Sequence, residues 1–288
     1  SETASAMEYM AMAGWKTEDM LNGIEGVMDL AAASGEDLAG VSDIVTDAMT
    51  AFGLSADGTT KIIKDGFTKE VSNASHFADV LAAASANSNT NVAMLGESFK
   101  YAAPVAGSLG YSVEDTAIAL GLMASSGLKS SMAGSSLRTI LTNLAKPTDD
   151  ISDAMDYLGT SLQNSDGSMK SLMDIVTDLR GAFGQCKMPM DQFQENLAKL
   201  DEKYANGELT EKKYNEALAD LTEKAYGAEG ALKAKYAATL AGKEGMSGLL
   251  SIVSAAPEDF DKLTNAIYNS DGAAKEMAEI KMDNLQHD

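Results

Sequence analysis

Ser112-Val113-Glu114-Asp115-Thr116-Ala117-Ile118-Ala119-Leu120-Gly121-Leu122-Met123-Ala124-Ser125-Ser126-Gly127-Leu128 is the stretch whose reading decides the fold. Ser112 offers a side-chain oxygen to exposed N–H groups, and Glu114 and Asp115 place negative charge in the first turn of a helix. The uncharged run from Thr116 to Leu128 follows, until Gly127 supplies the left-handed conformation that ends a helix. Thirteen uncharged residues make a buried helix and fall short of the roughly 20 needed to span a bilayer.

The same punctuation recurs in both directions. Thr17 precedes Glu18-Asp19, Thr148 precedes Asp149-Asp150, and Thr210 precedes Glu211, each reading as a helix start. Gly35, Gly53, Gly159 and Gly207 follow apolar-periodic runs and read as stops. Leu122 to Ser126 (LMASS) echoes LAAAS at Leu30 to Ser34 and Leu81 to Ser85. Around the first and third copies the match lengthens. Trp15 precedes Glu18-Asp19 and then Ser34-Gly35, as Tyr111 precedes Glu114-Asp115 and then Ser126-Gly127, which favours duplicated helical hairpins over coincidence in an Ala-rich chain.

Composition agrees. Among 288 residues there are 45 Ala, 25 Gly and 17 Met but only 7 Phe and 4 Pro, a supply of small residues and adaptable fillers suited to closely packed helices. The expected fold is all-α, a multi-helical bundle of about ten to thirteen short helices with a weak internal repeat. At most one small β-hairpin is expected, near Gly159 to Lys170, where Asn164-Ser165-Asp166-Gly167 reads as its turn. Downstream of Pro189, Asp191 to Tyr226 has the charged i, i+4 texture of an exposed helical hairpin. The chain accordingly divides into an Ala/Ser/Gly-rich helical core module at 1–160, a hairpin, linker and connecting helix at 161–190, and the charged hairpin with C-terminal helices at 191–288.

Charge narrows the function. Forty-three acidic against 22 basic side chains give −21, which argues against duplex DNA as a partner. One cysteine, Cys186, makes no internal disulfide, and His76 and His287 make no zinc-ligand spacing. The start, from Ser1, lacks a basic n-region and a long apolar h-region and reads as a piece of a longer chain rather than a signal peptide.

Candidate chemistry dissolves residue by residue. Ser126-Gly127-Leu128-Lys129 fits the Ser-x-x-Lys of acyl enzymes, but no Lys-Thr-Gly or Ser-Asp-Asn accompanies it. Asn164 to Gly167 and Asn269 to Gly272 resemble calcium loops, yet with Gly at loop position 6 they put Leu162 and Ile267 where a carboxylate belongs. The pairs Glu18-Asp19, Glu36-Asp37, Glu114-Asp115 and Glu258-Asp259 read as first-turn charges, since neighbours on a helix point about 100° apart. Cys186 beside Lys187 lacks a histidine partner, and His76 reads as a first-turn residue. Trp15 reads as a core anchor, and Met7 and Met10 as one face of a helix that serves either core or partner, in a start that also carries Met12 and Met20. No catalytic, cofactor-binding or metal-ligating residue is expected.

An ordered set of segments resembles a known family. They are Met7 to Trp15, Leu30 to Leu38, Ile44 to Ala48, Phe77 to Ala82, Tyr101 to Pro104, Glu114 to Ala117 and Leu144 to Pro147, continued by Asp259 to Leu263 and Ser270 to Ala274. In this order they resemble the core region of phage tail tape-measure proteins, with an insertion around Ser55 to Val71 and a variable hairpin at Asp191 to Tyr226. The resemblance implies a structural virion component that sets tail length, scaffolds the polymerising tube and leaves it ahead of the genome. It also implies a place in the tail-tube lumen, in the host cytoplasm during assembly, with tail-tube subunits, assembly chaperones or further copies, meeting through helix faces, as partners. No segment here matches the family's usual transmembrane stretch. The alternatives are a bacterial helical adhesin or secreted effector, and a tail-associated peptidoglycan-cleaving domain.

Overall fold

In a computed structural model, which describes residues 2–64, 67–184, 188–227 and 230–287, the decisive stretch forms α6 (Val113–Ser125). Eleven of its thirteen residues are buried. A helix apolar on every side is stable only when other helices wrap it. Those helices come from along the whole chain: α4 (Asn73–Asn87), α5 (Val92–Ser108), α7 (Ser130–Ala145), α9 (Leu172–Phe183), α12 (Gly230–Ser254) and α13 (Pro257–Tyr268).

The remaining helices form the outer layer. α1 (Glu2–Met12) packs on α3 (Leu38–Ala51), α2 (Thr17–Ser34) on α4, and α14 (Ala273–His287) on both α2 and α4. α8 (Asp149–Leu158) lies against α9 and α12, while α10 (Met190–Ala205) and α11 (Glu211–Tyr226) pack on each other and on α12. The all-α expectation holds, with fourteen helices among the described residues rather than ten to thirteen. α12 is itself bent at Gly242, where φ is 69°.

Local chemistry explains the boundaries. The Asp115 N–H donates to Ser112 Oγ at 3.0 Å and the Ile151 N–H to Thr148 Oγ1 at 3.3 Å, as the sequence predicts. Thr17 differs. α2 starts one residue earlier, with Lys16 at the cap, and the Asp19 carboxylate accepts the Lys16 N–H at 3.0 Å.

The two halves of the sequence repeat share one turn. After α1, Gly14 donates to Ala11 and Trp15 to Met10, both at 3.0 Å; after α5, Gly110 donates to Gly107 and Tyr111 to Ala106, both at 3.0 Å. In each case a left-handed glycine closes the helix and the next residue, a buried aromatic, stands just before the cap of the following one. α4 lies between α2 and α6, so the three LAAAS-like segments sit on helices packed side by side.

The small hairpin is not where the sequence placed it. β1 (Thr59–Lys64) and β2 (Phe67–Ser72) pair antiparallel in the segment that the family resemblance leaves unmatched. Gly159 to Lys170 makes only an isolated bridge between Gln163 and Met169. Its side chains compete with a ladder: Ser161 Oγ accepts from the Gln163 N–H at 3.1 Å and Asp166 Oδ1 from the Ser168 N–H at 2.9 Å. By contrast, TTKIIK, Asp65-Gly66 and FTKEVS combine β-branched residues with a hairpin-turn dipeptide.

Small residues let the inner helices approach closely. A Cβ on Gly134 of α7 would collide with the Ser98 carbonyl of α5, and one on Gly121 of α6 would lie 2.8 Å from Leu263 of α13. Leu30, Leu81 and Leu122 are all buried, and Ala124 keeps 2% of its surface, so the LAAAS-like stripes are core. Overpacking such sites costs about 1–3 kcal/mol. Gly134→Leu and Ala124→Phe should therefore each lower the free energy of unfolding by that amount, read as a lower urea midpoint, while the helical circular dichroism survives. Unchanged midpoints would show the stripes to be free surface.

Candidate functional site

Buried charged side chains fasten one element to another. Asp79 of α4 is buried, and its two oxygens accept the Gly272 and Ala274 N–H groups at 2.8 and 3.0 Å, capping α14. Burial pushes the Asp79 carboxyl above its ordinary pKa and Asp271 adds to this, against the pull of those N–H groups. Asp115 of α6 does the same work for two other helices. Its Oδ2 accepts the Met173 N–H at 3.2 Å and its Oδ1 the Tyr268 hydroxyl at 2.5 Å, joining α6 to α9 and α13.

Glu114 turns the other way. Its Oε1 lies 2.7 Å from His76 Nε2, which ties α6 to α4. Burial pushes the Glu114 carboxyl up, but the His76 hydrogen bond and charge outweigh it and leave the pKa below the usual glutamate value. The Glu114-Asp115 pair is thus more than a first-turn charge. His76 is likewise more than a first-turn residue.

Two further knots lie outside any residue the sequence reading singled out. The Arg180 guanidinium of α9 donates to the Ile252 carbonyl at 2.9 Å and the Ala255 carbonyl at 2.8 Å, capping α12, and stacks 4.3 Å from the Phe260 ring centre. Asp201 Oδ1 accepts both the Tyr214 hydroxyl and the Ser247 hydroxyl at 2.7 Å, joining α10, α11 and α12. Its Oδ2 has no partner, and burial pushes the carboxyl up. Only proximity across 46 residues of sequence reveals this triad.

The other candidates fall into structural places. The buried Ser126 hydroxyl donates to the Met123 carbonyl at 2.7 Å, and Lys129 stands at the start of α7. Asp37 accepts the Gly40 N–H at 2.8 Å, and Glu258 and Asp259 lie in the first turn of α13. Asn269 ends α13, its amide donating to the Asn265 carbonyl at 2.8 Å. Trp15 is buried against Gly23. Met10 is fully buried, Met7 and Met20 are half-buried and Met12 is exposed. Cys186 lies outside the described residues. Among the described residues no three His, Cys, Asp or Glu side chains gather as a metal site, and no helix is long and apolar enough to cross a membrane.

Two surface clefts differ in character. A polar cleft of about 460 Å³ lies between α2, the β-ribbon and the start of α14, with Asp29, Asp79, Lys69 and Lys275 among its walls. An apolar groove of about 430 Å³ runs between α11 and α12 over Leu218, Ala234 and Met246. Neither brings a nucleophile together with a base. Sequence comparison supplies the family: the model of the phage-related minor tail protein family matches residues 1–242.

The chain belongs to that family.

It is 36% identical to a protein of Pneumococcus phage Dp-1 named "Tape measure protein", over 99% of this chain and 20% of that protein. It is 26% identical to the "Probable tape measure protein" of Escherichia phage P2, over 78% of this chain and 23% of that protein. The chain therefore spans about a fifth of the length of these relatives. No solved structure matches it.

In this minor tail protein segment the buried carboxylates should read out as helix fasteners. Asp79→Ala removes both acceptors at the start of α14, so a loss of about 1–2 kcal/mol is expected, with α14 amides losing hydrogen-exchange protection before those of α6. Equal loss throughout the chain would show that Asp79 does not act locally. The lowered Glu114 pKa contributes stability that is complete above the ordinary glutamate value, 4.5, and is lost as pH falls through the folded value. The stability advantage of wild type over Glu114→Gln should accordingly shrink as urea titrations move from pH 7 to below 4.5, and an advantage constant with pH would contradict the pairing with His76.

Proposed function

We propose that this chain is a folded helical module of a tape-measure protein, a structural component of the tail that determines tail length and scaffolds tube assembly. One observation carries the reading: alignment to a protein named for that role runs through 99% of the chain at 36% identity. In this role the module resides in the tail-tube lumen of the virion, after a period in the host cytoplasm during assembly. Its partners are tail-tube subunits, assembly chaperones and copies of itself. The −21 charge supports a protein rather than a duplex DNA partner. The use of Glu114 and Asp115 to join helices supports a structural role over peptidoglycan cleavage.

Disrupting the gene in its phage or prophage tests the reading. Tails should be missing or irregular in length by electron microscopy, and peptides of this segment should be recovered from purified wild-type tails by mass spectrometry. The purified chain should neither clear cell-wall suspensions nor retard duplex DNA at physiological salt. Tails of normal length without the gene product would overturn the assignment.

A further inference from the structure

The two ends of the α10–α11 hairpin are fastened by different means. At its base, Phe193 and Leu197 of α10 and Ala225 and Tyr226 of α11 are buried, and the Phe193 and Tyr226 rings meet edge to face. Past Leu200 the apolar anchoring thins, since residues 202–208 are exposed and Leu209 is half-buried. There the end of α10 is held by the Asp201 hydrogen bonds to α11 and α12, and by the Tyr204 ring lying 4.7 Å from that of Tyr214.

The bonds around Asp201 suit a carboxylic acid rather than a carboxylate. Oδ1 takes two donors, the Tyr214 and Ser247 hydroxyls, while Oδ2 is buried with no hydrogen-bond partner among the described residues. Each hydroxyl has a single hydrogen. The two hydroxyl oxygens lie 3.0 Å apart, but with both hydrogens directed at Oδ1 neither has one left for Oδ2. A carboxylate shares its charge between both oxygens and would leave the Oδ2 share buried without a donor, which is costly. A neutral carboxyl with Oδ1 as its carbonyl accepts the same two bonds and buries no charge.

The surroundings do not supply a counter-charge. Tyr214 faces the carboxyl from α11 and Ser247 from α12, and burial, reinforced by Asp201, keeps the Tyr214 hydroxyl protonated. Lys243 of α12 is exposed and paired with Glu211 of α11, while Glu244 of α12, Lys213 of α11 and Glu202 and Lys203 of α10 are exposed. The turn at Gly127 lies against Ala198 of α10 and carries Lys129, which is half-buried at the start of α7. Burial pushes the Asp201 carboxyl above its ordinary value, against the pull of the two hydroxyls.

We propose that Asp201 is a proton-operated latch: its neutral side chain holds the end of α10 to α11 and α12, and loss of the proton frees that end and the 202–210 turn while the Phe193 base stays docked. Release uncovers Tyr214 and Ser247. It also opens the α11/α12 groove, which is lined by their neighbours in sequence, Asn215 and Met246. The sign follows from burial. Released into water the carboxyl has its ordinary value, 3.8, and latched it has a higher one. Closure is therefore strongest below 3.8 and weakens as pH rises through the latched value, the open-to-closed ratio growing by up to about tenfold for each pH unit between the two.

Hydrogen exchange on the 288-residue chain, comparing wild type with Asp201→Asn at matched pH from about 3.5 to about 8, tests it. Asparagine keeps the Oδ1 acceptor and does not ionise, and every other titrating group is common to the two proteins and cancels. At the acid end both should protect residues 201–214 alike. As pH rises, wild type should fall several-fold behind the variant in that segment, with residues 193–197 and α6 remaining equal in the two. The carboxyl-carbon magnetic resonance signal of Asp201 in wild type should titrate above 3.8, a reading that decides the case even where the variant fails to fold. Equal protection of 201–214 at every pH, or a signal that titrates at or below 3.8, overturns the latch. A variant less protected than wild type at neutral pH overturns it too, because the ionised carboxylate would then be the better fastener, and so does a loss shared equally by α6.

Discussion

Close approach of helix backbones at small residues is the constraint on which this structure depends. Where Gly134 meets the Ser98 carbonyl, or Gly107 of α5 meets Ala51 of α3, no side chain separates the helices. With only 7 Phe in 288 residues, few large side chains are available to fill wider gaps, and the core is built from dispersion contacts among alanine, leucine and methionine at short range. α6 shows the consequence most directly, since it has no polar face and is stable only because six other helices enclose it. The outer helices are the converse. In α13 only Leu263 and Ile267 are buried, and the acids of its first turn face water.

Close packing makes every buried charge a strong local demand. Asp79, Glu114 and Asp115 lie on the helices nearest the centre, and each meets its demand by accepting a hydrogen bond from an element distant in sequence. Such bonds add geometry to a core whose small side chains interlock weakly, because a carboxylate that accepts two N–H groups fixes the angle and register of the helix it caps. Arg180 has the complementary task at the C-terminal end of α12, where three carbonyls, Ile252, Val253 and Ala255, receive its guanidinium. The polar frame and the small-residue contacts are thus two parts of one solution. Contacts set the distances and caps set the directions.

What the sequence reveals of this divides along the same line. Helix starts at Ser112 and Thr148 and stops at Gly35 and Gly159 are local, carried by one residue and its neighbours within four positions, and they are legible. The β-ribbon was legible too, in the Asp65-Gly66 dipeptide between β-branched strands, but the Asn164 to Gly167 turn gives a competing signal that its own side-chain hydrogen bonds divert from strand pairing. The polar frame is different. Partners such as Asp79 and Gly272, 193 residues apart, or Asp115 and Tyr268, 153 apart, share no periodicity or motif. A first-turn acid that caps only its own helix looks identical in sequence to one that holds another helix in place.

The geometry also bears on how a segment like this contributes length. Laid out as one straight helix, 288 residues would span about 430 Å at 1.5 Å per residue. The fold instead reverses at left-handed glycines such as Gly14, Gly53 and Gly110, and its longest helix, α12, has 25 residues and is bent at Gly242. Those reversals are stabilised by the same contacts that bury α6, so straightening the chain would expose Leu120, Leu122 and their neighbours together. In the proposed tail role, this segment therefore acts as a folded block, and linear extent must come from sequence beyond it in relatives some five times as long. The block is closed by helices from distant parts of the sequence, since α14 packs on α2 and α4 and the Asp79 carboxylate of α4 caps it.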